Sequence, residues 1–185
     1  MAMRFYQIEK PPAKFSTFLS LKITQQFGFE KYFEKFFLEG KKLVNIIAYC
    51  LMPTHPHFIL QQLVDNGISI YMNRVLNSYS RYFNTLYKRK GPLWESRFKH
   101  ILVDKDEQLI HLSRYIHSNP TTAGLVKKPE DWQYSSYREY IGKKEPDGLI
   151  NHEGLLDITP KSYQKFVNDR IDYQKKLAII KNLIV

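Results

Sequence analysis

Residues 46–60, "IIAYCLMPTHPHFIL", decide the fold. Both flanks are apolar and β-prone, so "LVNIIAYCLM" (43–52) and "HPHFILQQL" (55–63) are expected to be antiparallel strands joined by the short Pro53-Thr54 step. Two imidazoles, His55 and His57, open the second strand with Pro56 between them. Residues two apart on a strand share a face, so these rings project together about 7 Å apart at the backbone. Side chains can close that gap onto one cation. Proline has no ladder donor, so the strand is expected to be edge-like or bulged at Pro56.

Working outward, "KFSTFLSLKIT" (14–24) puts Phe15, Leu19, Leu21 and Ile23 on odd positions, the alternation of a half-buried strand. "GFEKYFEKFFLEG" carries Phe29, Phe33, Phe36 and Phe37 at helical spacing and stops at Gly40. Ile68, Tyr71, Met72, Val75, Leu76, Tyr79, Phe83 and Leu86 recur at i, i+3, i+4 and i+7, predicting a long helix over 67–88 with one face on the sheet. "RFKHILVD" (97–104) alternates as a further strand. "DEQLIHLSRYIHSN" (106–119) predicts a helix that ends before Pro120, whose ring disfavours helical geometry in the residue ahead. The order β-α-β-β-α-β-α is the split βαβ, ferredoxin-like α+β arrangement: four or five antiparallel strands with helices on one face. "TTAGLVKKPEDWQYSSYREYIG" then reads as a loop and short helix ending at Gly142, and "KKEPDG" (143–148) as a linker. Thr159 as N-cap with Pro160 at the first helical position predicts a C-terminal helical extension.

Composition narrows the function. With 43% hydrophobic and 15% aromatic residues the chain can build a core and is not a disordered one. No apolar run approaches the roughly 20 residues of a membrane helix, and "MAMRFYQIEKPPAKF" lacks the apolar block of a signal peptide. The single Cys50 cannot form an internal disulfide and reads as a small core residue, so a cytoplasmic location is expected. Lys and Arg number 28 against 18 Asp and Glu, a formal charge of +10 that favours a polyanionic partner.

A histidine pair is an incomplete metal site, and the helix "HLSRYIHSNP" offers the rest. Leu109, Leu112 and Ile116 form its apolar face, with Ser113 among them. Tyr115 and Asn119 lie one turn apart on an adjoining face, able to bring a phenol and an amide oxygen to the same place. Four ordered blocks, "AYCLMPTHPHFIL", "GPLWESRFKHILVD", "LSRYIHSNPTTAGLV" and "EDWQYSSYREYIG", cover residues 46–142. They resemble the signature blocks of the single-tyrosine HUH transposases, the REP-associated type above all. The resemblance implies a catalytic domain over 1–142, with 143–185 as linker and accessory helix. It implies an enzyme that cuts and rejoins single-stranded DNA near hairpins through a 5′-phosphotyrosine. It maps the nucleophile onto Tyr115 and the ligands of a divalent cation, Mg²⁺ or Mn²⁺, onto His55, His57 and Asn119. Related enzymes work as dimers, so a homodimer is expected. Two positions depart from the family pattern: Pro56 replaces a bulky hydrophobe, and Thr122 in "NPTTAG" stands where the family has arginine.

The residues themselves suit such chemistry. A phenol is a weak nucleophile at neutral pH but a workable leaving group in the reverse step, which favours reversible cut-and-join transfer over hydrolysis. Arg74, Arg81 and Lys88 recur every seven residues opposite the apolar face of the long helix, continued by Arg89 and Lys90. Arg97 and Lys99 follow on the next predicted strand, near Trp94. A cationic stripe beside an accessible aromatic can track a nucleic-acid backbone and stack a base. The alternative keeps the fold and drops the chemistry: a catalytically inactive nucleic-acid-binding module with incidental histidines. A metal-dependent hydrolase would need a carboxylate base near the histidines, and only Asp65 is close in sequence.

Overall fold

In the computed structural model, residues 1–152, 154 and 158–171 are described. The class is α+β. Among the described residues its sheet is smaller than expected: a two-stranded antiparallel hairpin of β1 (Val44–Leu51) and β2 (Pro56–Gln62), rather than four or five strands. The Met52 N–H donates to the His55 carbonyl at 2.9 Å and closes the turn. Pro56 is the first residue of β2, a position where a missing ladder donor is tolerated. The free edge of β1 is covered by single bridges, Cys50 to Ser135 antiparallel and Ile46 to Ile150 parallel, so loops do the work of further strands.

The chain divides into two compact units. The first contains residues 1–45 and 61–101. The expected strand over 14–24 is helical there: α1 (Ala2–Phe5) is followed by α2 (Phe15–Ser20), α3 (Lys22–Phe27) and α4 (Phe29–Glu39). The reason is an aromatic cluster. Phe5, Ile8, Phe18, Phe33 and Phe37 are buried together, with Tyr6, Phe15, Tyr32 and Phe36 around them. Phe15 and Phe18 meet the Phe5 ring at 5.2 and 5.3 Å, which needs i, i+3 spacing rather than alternation. α5 (Gly67–Leu86) buries Tyr71 and Met72, while Tyr79 and Leu86 of the same apolar stripe are exposed. Residues 97–104 form no strand, and Ile101 and Leu102 are 81% and 82% exposed.

The second unit contains residues 46–60 and the described residues from 102 onward. Its core combines Ile46, Ala48 and Cys50 of β1 with Ile116, Tyr137, Tyr140, Tyr163 and Val167. α6 (Asp106–Thr122) runs three residues past the expected stop, through Pro120. In the last turn a proline forfeits a single helical hydrogen bond, so the break falls at Gly124 instead. There φ is +72°, and the Gly124 and Leu125 N–H groups return to the Thr121 and Pro120 carbonyls at 3.2 and 2.9 Å. α7 (Tyr137–Tyr140) ends before Gly142. α8 (Pro160–Asn168) is capped by the Thr159 hydroxyl, which accepts the Ser162 N–H, and it packs on α6. The continuation of that helix beyond residue 171 lies outside the described residues. Among the described residues, no helix is long and apolar enough to cross a membrane.

Candidate active site

All four residues singled out for chemistry lie in the second unit, and the fold brings them together. The Nε2 atoms of His55 and His57 are 3.0 Å apart, with the rings edge to face. Across 62 positions of sequence, α6 carries the Asn119 amide to 2.7 Å from His57 Nε2. One turn earlier the Tyr115 ring stands 6.0 Å from the His57 ring, with the residue 48% exposed. Thr54 Oγ1, 2.9 Å from His55 Nδ1, orients the first ring and leaves Nε2 for the site. Thr54 was not among the expected site residues; a hydroxyl beside a histidine is too common a pairing to signal anything alone.

The electrostatics favour ligands over charges. Burial, and secondarily the neighbouring His55, lower the His57 pKa, so at neutral pH its imidazole keeps a lone pair to donate. No three His, Cys, Asp or Glu side chains cluster as a metal site among the described residues. A third donor must therefore come from elsewhere. A half-turn of the Asn119 amide exchanges its oxygen for the nitrogen now facing His57, and oxygen and nitrogen are assigned by hydrogen bonding alone. Two imidazole nitrogens and an amide oxygen are a donor set that suits a divalent cation.

The cationic residues belong to the first unit. Arg81, Lys88, Arg89, Lys90, Arg97 and Lys99 are exposed; Lys88 to Lys90 lie beyond the end of α5. Arg74 differs. Half-buried, it donates to the carbonyls of Ile8 and Glu9 at 3.2 and 3.0 Å, and so ties α5 to the N-terminal segment. Trp94 is also half-buried, its indole N–H on the Leu76 carbonyl at 3.2 Å.

The family model described as transposase, IS200-like, matches residues 23–119, just over half of the 185-residue chain. The chain belongs to the IS200-like transposase family. The matched span contains both histidines and Tyr115 and ends on Asn119. A Haemophilus influenzae protein named as a REP-associated tyrosine transposase is 32% identical over 107 residues, 51% of this chain and 60% of its own length. The chain thus spans less than two thirds of that relative. No solved structure gives a significant match.

In this member of the IS200-like transposase family the helix that bears Tyr115 and Asn119 has a second polar face beyond the residues singled out above. His117 is fully buried beneath α6, and burial, with the charge of His152 second, brings its pKa down to about 3. The signal for it was Ser113, a hydroxyl one turn away within an otherwise apolar face.

Proposed function

We propose that this chain is a transposase that cleaves and rejoins single-stranded DNA near hairpins, with Tyr115 as nucleophile. The observation that carries the reading is the convergence of Tyr115 and Asn119, from one helix, on the paired imidazoles of His55 and His57. His55, His57 and Asn119 would hold a divalent cation, Mg²⁺ or Mn²⁺, which neutralises charge on the scissile phosphate when bound. The phenol oxygen of Tyr115 forms a bond to phosphorus as the bond to the 3′-oxygen breaks. The phenol proton goes to solvent, and the departing oxygen takes one up as a free 3′-hydroxyl. What remains is a 5′-phosphotyrosine whose reversal rejoins the strand. Exposure of Tyr115 fits attack on an incoming backbone.

The exposed basic residues Arg81, Lys88, Arg89, Lys90, Arg97 and Lys99 are assigned to phosphate contact, supported by the +10 net charge. Arg74 and Trp94 join them in this reading as anchors of the surface, since their polar groups already bond backbone carbonyls. A homodimer is the proposed assembly, to be seen in sedimentation as twice the 22.1 kDa chain mass.

The test is a denaturing gel of end-labelled hairpin oligonucleotides from the flanks of the chain's own gene, with Mn²⁺ or Mg²⁺ present. A protein-shifted band that requires Tyr115 supports transposition chemistry. Retention of hairpins without any such band gives first place to a binding module that lacks catalysis.

A further inference from the structure

We infer that His117 is a positioning residue, which sets the roll of α6 and thereby the distance from Asn119 and Tyr115 to His57. The inference rests on the reading of those residues proposed above. It starts from a chain of side-chain hydrogen bonds inside the second unit.

Each proton in that chain has one place. The Ser113 hydroxyl donates to the Ile110 carbonyl at 2.8 Å. The Tyr163 hydroxyl donates to Ser113 Oγ at 2.9 Å, so toward His117 Nδ1, 2.6 Å away, its oxygen can only accept. Nδ1 therefore carries the imidazole proton, and Nε2 is left with its lone pair. Nε2 accepts from the Ser136 hydroxyl at 2.7 Å, in preference to the Tyr49 carbonyl, which lies farther from the same hydroxyl at 3.2 Å. Ser136 Oγ in turn accepts the backbone N–H of Tyr49, on β1, at 2.9 Å. A single directed path thus runs from the β1 backbone through Ser136, His117, Tyr163 and Ser113 to the backbone of α6. Neutral imidazole supplies both the donor and the acceptor this path needs at its midpoint; a single amide or hydroxyl cannot reproduce both at that spacing.

Helix geometry converts this anchor into a setting for the site. At about 100° per residue, Ser113 and His117 share one face, and the midpoint between Tyr115 and Asn119 lies about 180° away from His117. The anchored face and the site face are opposite sides of the same helix. At roughly 5 Å from the axis, a roll of about 10° moves a side chain by about 1 Å. That is enough to part the 2.7 Å contact of Asn119 with His57. Misplacement on this scale costs about 10²-fold in rate.

The experiment compares Tyr163→Phe with Val167→Ala. The first removes the hydroxyl that links His117 to Ser113 and keeps the ring. The second truncates a fully buried side chain on the same helix, α8, that has no part in the path. Both are studied at a temperature where circular dichroism shows them folded; Ser113→Ala replaces Tyr163→Phe if that variant does not fold. One readout is the NMR spectrum of ring-¹³C-labelled histidine, followed at His57. The other is the single-turnover rate of covalent adduct formation at saturating hairpin DNA, with DNA affinity measured separately. We expect Tyr163→Phe to shift the His57 resonance and lower the adduct rate by at least tenfold with DNA affinity within twofold, and Val167→Ala to do neither. Equal effects of both variants, or no effect of Tyr163→Phe, overturn the positioning role. If the unmodified protein forms no adduct, the proposed function fails, and the His57 resonance alone decides this inference.

Discussion

The Asn119 amide lies 2.7 Å from His57 Nε2, joining a helix to a strand that begins more than sixty residues earlier. No local interaction can produce that contact. It requires α6 to be seated against the hairpin at one rotation, and it supports the proposal that Asn119 is the third ligand beside the histidines.

Removal of one oxygen tests the nucleophile. Tyr115 is half-exposed, so Tyr115→Phe loses little packing, and stability is expected to change by less than about 0.5 kcal/mol. The covalent band on a denaturing gel should disappear while hairpin retention on a native gel persists. A band of unchanged intensity would assign attack to another residue.

Loss of a ligand should show in metal affinity before it shows in DNA binding. Asn119→Ala is expected to weaken Mn²⁺ binding by roughly tenfold or more, about 1.4 kcal/mol, as read by calorimetry. Stripping the protein with chelator should abolish adduct formation, and added Mn²⁺ or Mg²⁺ should restore it. Equal Mn²⁺ affinity in the variant and the unmodified protein removes Asn119 from the site.

Salt reports on the cationic segment. Lys88, Arg89 and Lys90 are exposed and consecutive. If all three meet phosphates, replacing them with alanine should flatten the plot of log affinity against log salt for single-stranded DNA by about 2 units of slope, near 0.7 per contact. An unchanged slope would place the backbone path elsewhere.

Cys50 should be silent toward thiol reagents. It is fully buried in β1, and burial pushes its thiol up to about 12, so almost no thiolate is present at pH 8. Iodoacetamide should label it only after unfolding in guanidinium, as counted by mass spectrometry. Rapid labelling of the native protein would contradict the burial.

Alkaline pH should unfold the second unit through its tyrosines. Burial raises Tyr140 and Tyr163 far above the ordinary phenol value, and Tyr49 to about 12. The folded state holds these protons where the unfolded chain releases them. Their contribution is therefore complete below pH 10 and is lost as pH rises above it. Urea midpoints measured from pH 8 to 11 should fall steeply past 10; a flat profile would mean that the phenols are solvated.

How much of this was written locally is visible element by element. The hairpin, α4 with its stop at Gly40, α5 and the Thr159 cap announce themselves, because apolar runs, helical spacing and capping residues act over a few positions. Residues 14–24 mislead because Phe15, Leu19 and Leu21 satisfy either period, while Phe18 fits the helical one alone, and a packing partner, the Phe5 ring, decides between them. Residues 97–104 mislead for a related reason. Alternation marks an extended chain, but a strand also needs a partner strand, and among the described residues the sheet pairs β1 with β2 alone.

The sequence by itself determined that two imidazoles share a strand face and that a phenol and an amide share a helix face, since those follow from the periods 2 and 3.6. Only the tertiary structure decided that the two faces meet. That outcome depends on the roll of α6, and the roll is set by a buried path in which His117 meets Ser136 across 19 positions and Ser136 meets Tyr49 across 87. Side chains that bond partners far away in sequence are invisible to periodicity. They exist only once the core has closed around them and left no water to take their place.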